Sequence, residues 1–342
     1  MATDVLPHTI NQSQIKSWRR CPRQWKYHYK DLLEPKAKGK AITIGLWGHR
    51  ALETHYTQGD WKIGYNEHLQ LYKKLFKEER DALDRQAKGH LPDIVRRVLL
   101  SYLWYYRDED IKVHIVEKSF EVVVRGVRFK GRLDWYIEDG EGRFWVGDHK
   151  FVTNIPDRGA FHAMDLQLML YPYAIEKAWG LPIHGVMWNY VCSKPPTVPK
   201  LVYGGSRISR QKINTDYPTL KRFLIDNGLD PRDYSQVLKP LRAESPFLKR
   251  YWLPREEHVT KQIMREAVST GRLINQAHDD QSLIVRNITR ECTSMCGYMP
   301  LCRIDLEGGD TRLLISRRYQ TVKEDDGYSD FAQYSRSEEG EG

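Results

Sequence analysis

The hydrophobic period of this chain changes at Lys118, and that change limits the architectures open to it. Upstream, from Trp61 to about Arg107, apolar residues recur at helical spacing among Lys, Glu and Leu, with an interruption near Gly89 to Pro92. Downstream, Ser119–Arg125, Val127–Glu138 and Arg143–Val152 are rich in β-branched and aromatic residues, separated by Arg125-Gly126 and by Asp139-Gly140-Glu141-Gly142. Three consecutive strands in a meander are expected. Met164–Trp179 then reads as an amphipathic helix ended by Gly180 and Pro182, and Gly185–Cys192 as a further strand. Helices, three strands, a helix and a strand in that order imply an α/β fold, with a central sheet flanked by helices and a helical insertion over about residues 61–110.

The flanking segments are less regular. Ser13–Lys30 reads as two short helical pieces broken at Pro22. Thr43–Tyr56 reads as a helix capped by Thr43, with His49 and Glu53 four apart on one face. Pro195–Leu241 is rich in Pro, Gly, Arg and Lys and reads as a long loop with a short helix near Thr219–Asn227. Glu256–Gln276 reads as a helix, and residues 323–342 as an acidic disordered tail. One domain over residues 1–322 is expected.

Charge narrows the partner. The chain carries a net +9, but its last twenty residues hold seven acids and two bases, so the body stands at +14. A body that basic favours a polyanion such as nucleic acid. No apolar run approaches the roughly 18 residues that span a bilayer, and no signal peptide opens the chain, so the expected location is the cytoplasm and no membrane partner is expected. A Gly-Lys-Ser or Gly-Lys-Thr phosphate loop is missing, which excludes a built-in helicase motor.

The chemistry is concentrated at Gly147-Asp148-His149-Lys150. Asp148 and Lys150 are two apart on a strand and so face the same side of the sheet, among apolar Phe144, Val146, Phe151 and Val152. A carboxylate in that setting needs a partner or a metal. Asp134, near the middle of the preceding strand, brings a second carboxylate, and two such groups repel unless a hard divalent cation lies between them. His49 offers a nitrogen ligand, which suits manganese better than calcium. Taken alone, Asp148 and Lys150 read equally well as an ion pair on a polar strand.

Four ordered segments resemble the PD-(D/E)XK nuclease superfamily, in particular its RecB-like branch: Gly45–Glu53 (GLWGHRALE), Gly131–Asp134 (GRLD), Gly147–Lys150 (GDHK) and Gln167–Tyr171 (QLMLY). The resemblance implies a restriction-endonuclease-like core. It also implies that His49, Asp134, Asp148 and the backbone carbonyl of His149 bind Mg2+ or Mn2+, and that Lys150 activates the attacking water. Gln167 and Tyr171 would steady the site and the DNA backbone, and Glu53 would be a supporting carboxylate. Leu133 stands where the superfamily often has proline.

Five cysteines in a cytoplasmic chain are read as ligands or core residues rather than disulfides. Cys292, Cys296 and Cys302 form a late group, and Cys21 is the remote fourth thiol. Cys192, ending an apolar strand, reads as core. The resemblance implies a 4Fe-4S cluster on these four, tying residues 285–305 to the N-terminal helix; a tetrahedral Zn2+ is the alternative.

The implied activity is a DNA exonuclease acting on single-stranded or free ends, in phage or prokaryotic recombination, repair or CRISPR-related processing, with oligomers and partner proteins left open. An endonuclease of the same family and a silent DNA-binding scaffold are the alternatives. Candidate DNA contacts are Arg207, Arg210, Lys212, Lys249 and Arg250, the last two beside Tyr251 and Trp252 in a mixture that suits stacked bases and phosphates.

Overall fold

A computed structural model describes residues 6–36, 39–156, 165–202, 207–208 and 214–322, excepting the side chains of residues 167–169. The chain opens with β1 (Thr9–Asn11), α1 (Gln12–Arg20), α2 (Pro22–Trp25), one π-helical turn (Lys26–Lys30) and β2 (Leu33–Pro35). Asn11 caps α1, its side chain accepting the Gln14 N–H at 2.8 Å, and Pro22 opens α2. The expected break at the proline is present.

Next come α3 (Lys40–Gln58), α4 (Trp61–Lys74), α5 (Lys77–Ala87) and α6 (Leu91–Tyr106). Thr43 is not the cap of α3. Gly39 takes that place, and the Thr43 hydroxyl donates back to the Gly39 carbonyl at 3.4 Å, as a threonine inside a helix does.

The sheet follows: β3 (Ile111–Val124), β4 (Val127–Asp139) and β5 (Phe144–Val152), then α7 (Leu166–Trp179) and β6 (Gly185–Cys192). The meander is as expected, but β3 begins eight residues earlier than alternation alone indicates. A register shift between Val113 and Ile115 breaks the period there.

The segment expected to be a long loop holds β7 (Leu201–Val202), β8 (Arg207–Ile208), α8 (Tyr217–Asp226), a 3-10 turn (Pro231–Tyr234) and α9 (Ser235–Ala243). Pro240 lies inside α9 and hides it from a composition-based reading. It is followed by β9 (Leu248–Pro254), α10 (Glu257–Asp279), α11 (Glu291–Ser294), α12 (Met299–Leu306), α13 (Arg312–Arg318) and β10 (Tyr319–Thr321). The acidic segment 323–342 lies outside the described residues.

The main sheet runs β1-β4-β5-β6-β9, with β3 on the other edge of β4. β3, β4 and β5 are antiparallel, β5 and β6 parallel, and β9 antiparallel to β6. This mixed sheet flanked by helices is a restriction-endonuclease-like α/β fold. The sequence pattern hides β9, because Lys249 and Arg250 interrupt its apolar residues. Arg250 is in fact buried, pairing with Glu109 and donating to Asn189 Oδ1 at 3.2 Å, so it is a core residue and not a surface contact for DNA.

β4 is forked. One of its edges pairs with β3 at every position except Asp134; the other meets β1 over Arg128–Lys130 and β5 over Trp135–Glu138. Gly131 to Asp134 have a neighbour in neither, which leaves a gap beside Asp134. One face of the sheet is covered by α1, α7 and α10 through Ile15, Leu170, Ala174, Met264 and Val268. A second core, with Trp47, Leu52, Leu99 and Tyr102 of α3 and α6, is shared with Val191 and Leu248 of the sheet.

The N-terminal strand is clamped to α10. Asn275 Oδ1 accepts the His8 N–H at 2.9 Å, and the His8 and His278 rings stack with centroids 3.5 Å apart. Burial first, then His8 and Lys30, push the pKa of His278 down to about 4. The unfolded chain takes up a proton near pH 6.5 that the folded chain refuses, so this contribution to stability is complete above pH 6.5 and falls as the pH drops toward 4. Urea midpoints at pH 7 and pH 5 should therefore fall further for wild type than for His278→Gln. Equal losses would remove His278 from the acid sensitivity.

Candidate active site

α3 lies close on β5. A Cβ on Gly48 would fall 2.1 Å from the Phe151 ring, so the glycine lets the helix carry the neighbouring His49 into the fork of β4. There His49 Nδ1 lies 3.4 Å from Asp134 Oδ2. The same Asp134 oxygen accepts the backbone N–H of His149 at 2.8 Å. The β4–β5 pairing ends at Gly147, and two residues further on the carboxylate replaces the missing ladder partner of the His149 amide.

A third donor comes from β3 and was not among the sequence candidates. Glu117 Oε1 lies 3.8 Å from His49 Nδ1, and its other oxygen receives Arg132 Nε at 2.7 Å. Its φ is +48°, in the middle of a strand. A non-glycine residue seldom adopts that conformation, and one held there at a cleft is a marker of function. Sequence periodicity carries no trace of it. His49, Glu117 and Asp134 each present a ligand atom, all within 4.8 Å of one another.

Asp148 is buried on β5, and Lys150 Nζ reaches its Oδ2 at 2.6 Å while lying 5.1 Å from the centre of the Trp188 ring. Burial pushes the Asp148 carboxyl up to about pKa 6, against Lys150 and with Asp134. Burial also raises Asp134, with Glu117 adding to it and His49 opposing. Although burial disfavours its charged form, His49 is held up at about 9 by Asp134 and Glu117. Buried carboxylates crowded together in this way are relieved by a cation, and a donor set of carboxylate oxygens and one imidazole matches Mg2+ or Mn2+.

Gly147 sets the approach of β4 to β5. A Cβ there would lie 1.9 Å from Trp135 Nε1. Gly147→Ala is expected to lose about 1–3 kcal/mol of stability by overpacking, read from urea melts, and to displace Asp148 with it. An unchanged urea midpoint would contradict this.

His49, Asp134, Asp148, His149 and Lys150 thus converge. Glu53 stands one turn further along α3, 2.8 Å from Arg50 and 3.9 Å from Arg132, beside the donors rather than among them. Tyr171 is buried on α7, its ring edge-on to Phe120 at 5.2 Å. Gln167 is on α7, but its side chain lies outside the described residues, as do Arg210 and Lys212 altogether. Arg207 is exposed on β8; Lys249 is half-buried and 2.5 Å from Glu244. Cys192 is buried in the core, as expected.

Cys21, Cys292, Cys296 and Cys302 line one cavity of about 260 Å³. Cys21 Sγ accepts the Asn287 N–H at 3.5 Å and Cys292 Sγ the Thr289 N–H at 3.4 Å, so both thiols face the same stretch of chain. Among the described residues, no three of these thiols come within 4.8 Å of one another. Beside the cavity, Tyr27, Leu33, Tyr298, Leu301 and Tyr319 form a small separate core.

A mixed sheet forked around carboxylates, a histidine and a lysine offers the donors of a divalent-cation site. The chain belongs to the PD-(D/E)XK nuclease superfamily, whose sequence model matches residues 9–303. Among solved structures, a "Putative exonuclease" from Eubacterium rectale is similar at 10% identity and a TM-score of 0.43, covering 88% of this chain and 94% of that one. The crystal structure of SSO0001 is similar at 20% identity and a TM-score of 0.23, over 64% and 74%. No curated protein matches the sequence. Among the described residues no helix is long and apolar enough to cross a membrane.

Proposed function

We propose that this chain is a metal-dependent deoxyribonuclease of the RecB-like branch, built as one nuclease domain, that degrades DNA from its ends. The observation that carries the reading is the convergence of His49, Glu117 and Asp134 beside the Asp148–Lys150 pair. His49, Asp134, Asp148 and the backbone carbonyl of His149 would hold Mg2+ or Mn2+, and Glu117 joins them. Bound there, the cation supplies Lewis-acid polarisation of the phosphoryl group and offsets charge on the leaving oxygen. Lys150 holds its ammonium beside Asp148, where it orients the attacking water and faces the developing negative charge. Asp134 keeps the His149 amide in place and thereby the carbonyl that follows it. Glu53 steadies Arg132 behind Glu117, and Gln167 and Tyr171 support the site from α7.

DNA as the substrate rests on the superfamily and on the +14 body. Arg207, Arg210, Lys212 and Lys249 are its proposed backbone contacts. Phage or prokaryotic recombination, repair or CRISPR-related processing is the proposed setting. The test is a time course with Mn2+ or Mg2+ on end-labelled single- and double-stranded DNA beside a closed circle. Loss of the linear substrates with the circle intact, stopped by EDTA, is expected. Nicking of the circle at an equal rate would make the protein an endonuclease, and an intact linear substrate would make it a binding scaffold.

We further propose a 4Fe-4S cluster on Cys21, Cys292, Cys296 and Cys302, supported by the cavity they share. A tetrahedral zinc with bonds of about 2.3 Å draws its thiolates to roughly 3.8 Å apart. Zinc held tetrahedrally by the same four thiolates is the alternative. Protein purified without oxygen should be brown, absorb near roughly 400 nm and lose that absorption in Cys296→Ser. A colourless protein with stoichiometric zinc would refute the cluster.

A further inference from the structure

His149, Asn189 and Arg250 lie side by side on three adjacent strands, because the register pairs His149 of β5 with Asn189 of β6 and Asn189 with Arg250 of β9. Side chains alternate along a strand, so this row faces away from Asp148 and Lys150, on the side where the His149 ring lies 5.9 Å from that of His49. The His149 ring packs 4.5 Å from that of Trp135, whereas Lys150 lies over Trp188.

Every hydrogen-bonding group in the row has one direction open to it. Arg250 is a pure donor, and its Nε points at Asn189 Oδ1 across 3.2 Å. The Asn189 amide is thereby oriented, with its NH2 directed at His149 Nδ1, 2.6 Å away, and at the Tyr102 hydroxyl, 3.0 Å away. His149 Nδ1 must accept, so the ring proton sits on Nε2. Arg250 is itself fixed by Glu109, by the Tyr102 hydroxyl at 3.1 Å and by the Tyr106 ring 3.7 Å from the guanidinium carbon. Asn189 is completely buried, and Arg250 nearly so.

The other end of the row is the metal centre. The His149 backbone N–H is held by Asp134, Asp148 is its chain neighbour, and its carbonyl is one of the proposed ligands. A rotation of His149 would therefore move three donors at once. We propose that Asn189 and Arg250 are positioning residues of the metal centre, acting through the His149 ring to set where the β5 backbone and the two aspartates stand. The proposal rests on the metal-site reading above. Residues that orient ligands from behind typically govern about 10–100-fold in metal affinity or activity.

Calorimetric titration with Mn2+ in the absence of DNA tests this separately from catalysis, using wild type, Asp134→Ala, Asn189→Leu and His149→Phe. His149→Phe keeps the ring volume, the Arg250–Glu109 pair, the ring contact with His49 and the backbone carbonyl while removing the nitrogen that meets Asn189, so it decides the question if Asn189→Leu fails to fold. Each folded variant should bind Mn2+ about 10–100-fold more weakly than wild type, with a lower kcat and an unchanged KM for DNA. Mn2+ binding within twofold of wild type in a folded His149→Phe protein would reduce the row to a packing element and overturn the proposal. A wild type binding no more tightly than Asp134→Ala would instead remove the metal-site reading beneath it.

Discussion

Lys150→Ala is expected to lose DNA cleavage by at least about 10²–10³-fold while still binding Mn2+, the size of effect seen when one preorganised charge facing the transition state is removed. Lys150 Nζ is 2.6 Å from Asp148 Oδ2 and neutralises part of the charge that a divalent cation would meet. Its removal therefore takes away the cation beside the reacting phosphate and also frees Asp148 of a competitor. Binding and catalysis should separate: Mn2+ affinity held or increased, kcat collapsed. Asp148→Ala is expected to lose both. Calorimetry beside a single-turnover assay distinguishes the two variants, and wild-type cleavage by Lys150→Ala would sink the assignment of the centre.

Glu117→Gln is expected to weaken Mn2+ binding by about 10–100-fold, from the loss of one charged donor or of its support to the others. The substitution keeps the side chain's size and one carbonyl oxygen for Arg132, so folding should persist. It also removes one of the two carboxylates beside His49. If Mn2+ binding and kcat were both unchanged, Glu117 would be an Arg132 partner and nothing more. Glu117→Gly probes the backbone instead. Glycine adopts a φ of +48° freely, so this variant should lose metal binding without the strain that the glutamate endures.

Much of the architecture was legible. The strands Val127–Asp139 and Phe144–Val152 and the helix Leu166–Trp179 lie within a residue or two of their expected limits, because alternation and helical period are local properties and Gly180 stops the helix in a left-handed conformation. β9 and α9 were not, because Arg250 and Pro240 break the local pattern and are accommodated by distant partners. For Arg250 that partner is Glu109, 141 residues away. The surface reading of Arg250 failed for the same reason: a charge in a sequence looks solvated until its counterion is known.

The Asp148–Lys150 pair was visible as two like-facing polar residues in an apolar strand, and Asp134 as a carboxylate on its neighbour. Which residues complete the centre depends on where β4 forks, how closely Gly48 lets α3 approach and how Glu117 is turned. A strand's period says which face a side chain takes, and it says nothing about where two strands part. The sequence by itself determined the order of elements, the Asp-His-Lys strand and the basic body. Tertiary structure alone decided that Glu117 meets His49 and that Asn189 and Arg250 stand beside His149, and it brings Cys21 to the cavity lined by the three late cysteines. Those meetings are set by register and helix docking, which arise from packing between segments far apart in the chain.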